Sequence, residues 1–508
     1  MEDLLQRIPV RIRIPLLAAA TAFLIHLACN PHYGFFGDEL YFIVCGQHPQ
    51  WNYVDQPPVA PLLAAASQLF GPSLVLLRAL PALFAGAGTY VTCLLVLELG
   101  GATYAQVLSA IVVFFLPVLT DFGMKVSPDM VGLWSWPLLT LWIVRLTKGA
   151  DSRLWIAIGA LLGLSILSKY SVLFFAAALL LGLLLTPERR ILHSRWFVAG
   201  TLIAAIIAMP SFLWQVQHGY PMLELLRAVQ HGKNVIVGPL GYLGQQLLIS
   251  GFLAPFWIIG LGWLLWRPGF RFLAYGYVLL IAVMIVEHGK HYYPADAYPY
   301  LIAAGCVQVG AWTGKLRRAR TVIAATTILL GLVFFPIVMP VLPEAWLASY
   351  YTGLHSFLHI SRESIETEHR VYAQLPSDFA SMHGWTELTA IVNRVYNDLP
   401  PADQKQAVVL VQNYSEAAAI EFLSRPKLPV ISGHNQYFLW GPRGYSGNVL
   451  ICVGDNCDSA VKYFRTCSLE ARLEAPWIQP SEYDIPVMRC RGIQRPLLEL
   501  WPLAKFYN

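Results

Sequence analysis

The stretch LVLLRALPALFAGAGTYVTCLLVL, residues 74–97, carries one charged side chain, Arg78. About twenty apolar residues in a helix cross the hydrocarbon core of a bilayer, so this stretch predicts a membrane span. The whole chain agrees, with 56% hydrophobic and only 13% charged residues, against about 25% charged in soluble proteins. Apolar runs predict eleven spans in all: 14–29, 74–97, 104–120, 130–146, 154–167, 171–185, 196–216, 244–266, 272–287, 299–313 and 321–339. The apolar stretch 59–70 is too short to span and predicts a helix near the surface.

The basic residues that flank these spans are concentrated in every second loop. Under the positive-inside rule these loops face the cytoplasm. The chain is therefore predicted to be a multi-pass protein of the inner (plasma) membrane, with a cytoplasmic N-terminus. The clustered residues are Arg7, Arg11, Arg13, Arg145, Lys148, Arg153, Arg189, Arg190, Arg195, Arg267, Arg271, Lys315, Arg317, Arg318 and Arg320.

The composition changes near residue 341, where charged residues become frequent. Trp385–Asn397 and Ser415–Leu423 have helical patterns, whereas Ala407–Val411, Leu428–Ser432 and Val449–Val453 read as buried strands. We predict a transmembrane domain over 1–340 and an extracytoplasmic soluble α/β domain over 341–508.

Cysteines and loop residues of this second region leave alternatives open. Its four cysteines allow three disulfide pairings outside the cell, or stay free thiols; they are Cys452, Cys457, Cys467 and Cys490. Tyr414, His434 and Asn435 follow predicted strands, where open α/β sheets often form pockets. Ordinary turn chemistry explains the same residue types.

Three carboxylates lie in the first outer loop, which has no Lys or Arg. They occur in Gly37-Asp38-Glu39-Leu40-Tyr41 and in Tyr53-Val54-Asp55-Gln56-Pro57-Pro58. A helix cap explains the first motif and a turn the second, since acids favour helix N-termini. Two acidic motifs among aromatic residues in one outward loop favour function.

Later outer loops supply further charges at membrane boundaries. Asp129 opens the fourth span, Lys169 lies in a tight hairpin, and Lys290 and His291 lie in a loop dense in polar residues. Lys169 either snorkels to the interface or binds a lipid phosphate. Arg78 near a span end needs an acid or a phosphate as partner. His291 or a neighbouring histidine could share a metal ion with a carboxylate.

Together these groups are those needed to handle a sugar linked to a polyprenyl phosphate. A base deprotonates the acceptor hydroxyl, and cations or a divalent metal (Mg, Mn or Zn) stabilise the departing phosphate. The chain has no GxxxxGK[ST] loop for ATP, which fits a donor already activated by its lipid phosphate. The modest net charge of +5 gives no reason to expect a nucleic-acid partner.

Five motifs, in order along the membrane half, resemble the GT-C membrane glycosyltransferases. The similar branch is the protein O-mannosyltransferase and aminoarabinose transferase superfamily, described as dolichyl-phosphate-mannose-protein mannosyltransferase-like. The motifs are GDELY at 37–41, YVDQPP at 53–58, RALP at 78–81, GLSILSK at 163–169 and GKHYY at 289–293.

The resemblance implies an inverting hexosyl- or pentosyltransferase that acts on the extracytoplasmic face. The donor is a polyprenyl-phosphate sugar, the acceptor a lipid, a glycan or a protein, and membrane lipids surround the site. The resemblance makes Asp38 the candidate catalytic base, with Glu39 as its support and Asp129 as a further catalytic acid near the acceptor. Asp55 is the implied metal or acceptor ligand, and His291 is the metal-ligand candidate named above. Lys290, Lys169 and Arg78 are the implied phosphate-binding residues, while Tyr414, His434 and Asn435 stay pocket candidates of the second domain.

Two positions depart from the aminoarabinose transferase pattern. Gln56 replaces a lysine after the second acid, and Tyr41 replaces a basic residue after Asp-Glu. Both changes leave the sugar open. The alternative function is a transporter or flippase of lipid-linked sugars, although no internal repeat typical of transporters is evident. A catalytically inactive relative would have little reason to keep Asp38, Asp55 and Lys290.

Overall fold

In the computed structural model, residues 9–232, 235–359 and 373–508 are described. Each predicted span coincides with one helix or with two consecutive ones. The helices before residue 360 are Val10–Cys29, Gly37–Gln47, Val59–Ala66, Leu74–Glu98, Thr103–Phe115, Pro117–Phe122, Gly132–Thr147, Leu154–Ile166, Ser171–Leu184, Arg195–Gln217, Pro221–Gly232, Pro239–Ser250, Ala254–Trp266, Arg271–Val286, Tyr298–Trp312, Arg317–Val338 and Glu344–Leu358.

Fewer helices are long and apolar enough to span a bilayer than the eleven spans predicted from the sequence. Among the described residues, six helical segments are long and apolar enough to cross a bilayer. A seventh arises if Ser171–Leu184 and Pro187–His193, bent by 114°, form one span. Thr103–Phe115, Leu154–Ile166 and Arg271–Val286 are apolar but shorter. The chain is a multi-pass membrane protein, and the predicted number of eleven spans is not confirmed.

The first outer loop folds into two short helices that pack against each other. Gly46 of Gly37–Gln47 lies so close to Pro61 that an added Cβ would be 2.0 Å from the Pro61 carbonyl oxygen. Glycine therefore permits this contact. The predicted surface helix at 59–70 exists as Val59–Ala66, with Ala60 and Ala64 fully buried.

The second region forms one five-stranded mixed sheet. Its strands are β1 Ala407–Val411, β2 Val430–Ser432, β3 Val449–Val453, β4 Phe464–Arg472 and β5 Pro486–Ile493, in the order β2-β1-β3-β5-β4. β2, β1 and β3 are parallel, whereas β5 runs antiparallel to both β3 and β4. Its helices are Ser377–Ala380, Trp385–Asn397, Pro401–Gln404, Tyr414–Leu423, Asn435–Trp440, Asn456–Ala460 and Leu497–Leu500. The predicted helix 385–397 and strands 407–411 and 449–453 are confirmed at both ends.

The two regions share one apolar core. Leu40 to Cys45 of the first outer loop are buried in the same cluster as Val409 and Ile451 of the central strands. Gly37 lies so close to the helix Tyr414–Leu423 that an added Cβ would be 2.8 Å from the Ser415 hydroxyl oxygen. The sheet therefore packs directly on the predicted outer loop. The division into 1–340 and 341–508 stays a prediction.

Both disulfides of the second region are local. Cys452 pairs with Cys457, and Cys467 pairs with Cys490. The second bond joins β4 to β5 at residues that face each other in the ladder. Of the alternatives left open by the sequence, the structure has the disulfides rather than free thiols.

Candidate active site

Asp38 lies where the first outer loop meets the second region. The helix Tyr414–Leu423 begins at an asparagine cap, because the Asn413 side chain accepts hydrogen bonds from the backbone N–H groups of Ser415 and Glu416. This cap fixes Tyr414 in the first turn. The Tyr414 hydroxyl donates a hydrogen bond of 2.9 Å to Oδ1 of Asp38.

Asp55 lies beside this pair and is held from both regions. Its Oδ1 accepts a hydrogen bond of 3.0 Å from the Tyr41 hydroxyl, and its Oδ2 accepts one of 3.3 Å from Asn435 Nδ2. The rings of Tyr41 and Tyr414 lie 4.5 Å apart, and the ring of His434 lies 4.7 Å from that of Tyr414. The two predicted acids and the three predicted pocket residues of the second domain therefore form one cluster.

Burial makes Asp55 a weak acid. Loss of solvation raises the pKa of Asp55 from its usual value to about 7, and the charge of Asp38 raises it further against the opposing hydrogen bonds from Tyr41 and Asn435. A carboxyl group with a pKa near neutrality can both accept and release a proton under physiological conditions. This property distinguishes Asp55 from an ordinary turn aspartate.

Glu39 and Arg78 pair with each other, and an acid was one of the two partners predicted for Arg78. Arg78 uses all five of its N–H donors: its Nε and one Nη2 hydrogen bind Glu39, and the others bind the carbonyl oxygens of Asn30, His32 and Gly34. Both side chains are fully buried. Glu39 also accepts from the N–H groups of Phe36 and Val126. Arg78 has no donor left for a phosphate, and Glu39 has no access to substrate.

Asp129 and Lys169 form an ion pair at a second location. The Lys169 ammonium lies 4.5 Å from the ring centre of Tyr293 and 5.1 Å from that of Tyr292. Asp296 is buried nearby, and burial together with the charge of Asp129 raises the pKa of Asp296 well above its usual value. The Val59 N–H donates to the Leu167 carbonyl, so the loop that carries Asp55 is fastened to the hairpin that carries Lys169.

Lys290 and His291 lie in a third location. They line a small pocket with Tyr242, Gln245 and His288, and neither Asp38 nor Asp55 is among the described residues that line it. Burial, with a smaller contribution from the charge of Lys290, lowers the pKa of His291 to about 4. His291 thus lines this pocket together with Lys290.

The donors around Asp55 do not fit a metal ion held by the protein alone. Within the part of the chain that the structure describes, no three His, Cys, Asp or Glu side chains converge as a metal site requires. Both oxygens of Asp55 face hydrogen-bond donors, a hydroxyl and an amide, rather than other ligands. The predicted partner His291 lines the Lys290 pocket instead.

Two members of the site were not assigned by the sequence. Tyr41 stands at a departure from the family pattern, and its hydroxyl accepts from the Gln436 N–H while it donates to Asp55. Asp296 lies in the predicted polar loop, but its burial beside Asp129 was not evident. No local pattern of polar and apolar residues predicts the contacts of Tyr41 or Asp296, because these contacts join distant parts of the chain.

Comparisons with known proteins agree with this architecture. Residues 55–214 match the family model of dolichyl-phosphate-mannose-protein mannosyltransferase. Lipid A galacturonosyltransferase RgtD of Rhizobium johnstonii is 26% identical over 239 residues, which cover 44% of this chain and 49% of that protein. The match thus spans about half the length of the curated relative.

Solved structures share the fold. ArnT from Cupriavidus metallidurans bound to undecaprenyl phosphate superposes with a TM-score of 0.58 at 14% identity, covering 94% of this chain and 99% of that one. Arabinofuranosyltransferase AftD from Mycobacteria gives a TM-score of 0.51 at 13% identity, covering 95% of this chain and 40% of that one. This chain is therefore similar to the GT-C membrane glycosyltransferases, in sequence over residues 55–214 and in fold over most of its length.

Proposed function

We propose that the protein is an inverting glycosyltransferase that moves a sugar from a polyprenyl phosphate to an acceptor on the extracytoplasmic face of the membrane. The observation that carries this proposal is the convergence of Asp38 and Asp55 with Tyr414 and Asn435. Two carboxyl groups, one with a pKa raised to about 7, supply the proton transfers that glycosyl transfer needs. Local disulfides in the second region suit the same oxidising side.

In this proposal Asp38 is the general base. It removes the proton of the acceptor hydroxyl as the oxygen attacks the sugar, and the bond from the anomeric carbon to the phosphate breaks. The Tyr414 hydroxyl donates to Oδ1 of Asp38 and so orients this carboxylate. Asp55 binds the acceptor beside it and buffers the proton. Because Asp38 takes a proton and the phosphate leaves as an anion, the charges of the step balance.

Lys169 and Lys290 are the proposed partners of the lipid phosphate. Lys169 is paired with Asp129 at the hairpin beside the Asp55 loop, so a phosphate could compete for its ammonium. Lys290 lies farther along the same predicted outer face, in a pocket of its own. The described donors around Asp55 do not fit the divalent ion that the sequence predicts, so the proposed step relies on the protein side chains alone.

The donor sugar stays open, and the names of the relatives guide the choice of substrates. RgtD is a galacturonosyltransferase, AftD an arabinofuranosyltransferase, and the ArnT structure contains undecaprenyl phosphate. A test panel should therefore attach uronic acids, pentoses and neutral hexoses to undecaprenyl phosphate. Lipid, glycan and protein acceptors of the envelope are all to be included.

The test compares Asp38→Asn with the native protein in purified, detergent-solubilised form. Loss of the base is expected to reduce transfer by about 100-fold or more, with an unchanged melting temperature. Asp398→Asn is the matched control, because Asp398 is an exposed acid at the end of a helix in the second region. Undiminished transfer by Asp38→Asn would exclude Asp38 as the base. Transport of the lipid without any transfer by the native protein would favour a flippase.

A further inference from the structure

Residues 505–508 reach into the candidate active site. Phe506 exchanges two backbone hydrogen bonds with the loop after β2: its N–H donates to Gly433 over 2.9 Å, and its carbonyl accepts from Asn435 over 3.0 Å. The Phe506 ring lies 4.9 Å from that of His434. This segment, called the terminal segment below, therefore pairs with the loop after β2 beside the contact between Asn435 and Asp55.

Asn435 is held in an unusual backbone conformation. Its φ of +45° lies in the left-handed region, which asparagine tolerates better than most residues. Gly433, two residues earlier, allows the close approach of the terminal segment, because an added Cβ would be 1.7 Å from the Ala504 carbonyl oxygen. The loop is thus shaped to receive this segment.

The side-chain amide of Asn435 forms hydrogen bonds with both Asn508 and Asp55. Its Oδ1 accepts a hydrogen bond of 3.3 Å from the Asn508 N–H, and its Nδ2 donates to the Asn508 carbonyl over 3.4 Å and to Asp55 Oδ2 over 3.3 Å. An amide has one accepting and one donating end. The N–H of residue 508 therefore determines which end of Asn435 faces Asp55.

We infer that the terminal segment 505–508 is a positioning element of the active site: the backbone of residue 508 orients the Asn435 amide so that it donates to Asp55. Asn435 is then a positioning residue that acts on the carboxyl group proposed to bind the acceptor. The role deepens the proposed function and rests on it. Without the hydrogen bond from the Asn508 N–H, the Asn435 amide can turn its oxygen toward Asp55 and repel the carboxylate.

A surface ion pair also holds the terminal segment, but it contributes less than the backbone hydrogen bonds. Lys505 Nζ lies 2.7 Å from Glu224 Oε2 on the helix Pro221–Gly232 of the membrane region. The Glu224 side chain is 54% exposed, and exposed pairs contribute about 0–1 kcal/mol. The backbone contacts at Phe506 and Asn508 are therefore the ones to test.

The test is a matched pair of substitutions at one residue. Asn508→Pro removes the N–H that binds Asn435, whereas Asn508→Ala keeps both backbone groups. The measured quantity is the pKa of Asp55. Infrared difference spectroscopy of the protonated carboxyl band gives this pKa, and the Asp55→Asn variant assigns the band to Asp55. The other charged or titratable groups facing Asp55 are Asp38, Tyr41 and Cys45.

The direction of the shift follows from charge. The Asn435 hydrogen bond stabilises ionised Asp55 and lowers its pKa, so losing that bond raises the pKa. Asn508→Pro and Asn435→Leu are expected to raise it by about half a unit or more, and Asn508→Ala to leave it unchanged. The pH profile of transfer should move upward by the same amount.

Three outcomes would overturn the inference. They are an unchanged titration in Asn435→Leu, an unchanged titration in Asn508→Pro, and an equal shift in Asn508→Ala. The infrared titration does not need turnover. If Asp55 shifts as expected while the native protein transfers no sugar, the proposed function fails and the positioning role stands.

Discussion

Asp38 and Glu39 are adjacent in sequence, yet the structure uses them in opposite ways. Glu39 points into the protein, where Arg78 and two backbone N–H groups surround its oxygens in a fully buried arrangement. Asp38 points to the meeting of the two regions, where the Tyr414 hydroxyl binds one of its oxygens. One helix start thus supplies both a fully buried structural carboxylate and the carboxylate that we propose as the base. Charge type in a motif does not separate these roles, whereas the partners that surround each carboxylate in the fold do.

Removing Arg78 tests the structural side of this comparison and should have the largest effect. Arg78→Met leaves the Glu39 carboxylate buried without its cation. Loss of one partner of a buried pair costs about 3–5 kcal/mol, so little folded protein is expected. Size-exclusion chromatography and thermal unfolding in detergent measure this.

The double variant Glu39→Gln with Arg78→Met is the control, because it removes both charges together. It should recover much of the lost stability. A single Arg78→Met variant as stable as the native protein would mean that the pair does not hold the first outer loop in place.

Removing the Tyr414 hydroxyl tests the chemical side with a smaller effect. Tyr414→Phe keeps the ring against Tyr41 but loses the hydrogen bond to Asp38. A hydrogen bond to a charged group contributes about 1.5–3 kcal/mol, so kcat should fall by about tenfold or more. Steady-state assays with the lipid-linked sugar give kcat and KM separately.

Tyr437→Phe is the matched control for the same change. The Tyr437 hydroxyl donates to Glu421 over 2.9 Å in the same second region. We expect native turnover from this variant. Equal losses in both variants would indicate a general loss of packing rather than a contact specific to Asp38.

The buried carboxyl pair Glu416 and Glu482 extends the comparison to the second region. Asn413 Nδ2 donates to both Glu416 and Glu482, and burial raises the pKa of both carboxyl groups. Because folding favours their protonated forms, the stability from this pair is full at acidic pH and is lost as pH rises above the usual glutamate value. Glu416→Gln mimics the protonated form.

We therefore expect Glu416→Gln to raise the free energy of unfolding at pH 8 by about 1 kcal/mol and to change it little at pH 4.5. Melting temperatures across this pH range measure the difference. The exposed Glu474 offers the control Glu474→Gln. A loss of stability at pH 8 would show that the pair is needed in its charged form.

Local pattern was enough to predict much of the fold. The apolar runs located the membrane helices, and buried runs of four or five residues located β1 and β3. The number of spans was less certain, because Thr103–Phe115 and Leu154–Ile166 are shorter than a bilayer requires. Whether these short helices span the membrane depends on helix length and tertiary burial, and composition alone does not reveal either.

The site was predicted only as far as its separate motifs. Asp38 and Asp55 stood out because acids are rare in such surroundings. Their contacts with Tyr414 and Asn435 join residues 376 and 380 positions apart, and no local periodicity reports such pairing. An acid or a phosphate was predicted as the partner of Arg78, but no local pattern identified Glu39 as that acid.

The shared core of the two regions has a consequence for the order of synthesis. Chains are made from the N-terminus, so Leu40 to Cys45 reach the membrane long before the strands that cover them. More than 370 residues are synthesised after Asp38 before Tyr414 can bind it. A truncated or stalled chain therefore inserts its helices but has no assembled site. The proposed base is therefore completed by a residue that is synthesised much later.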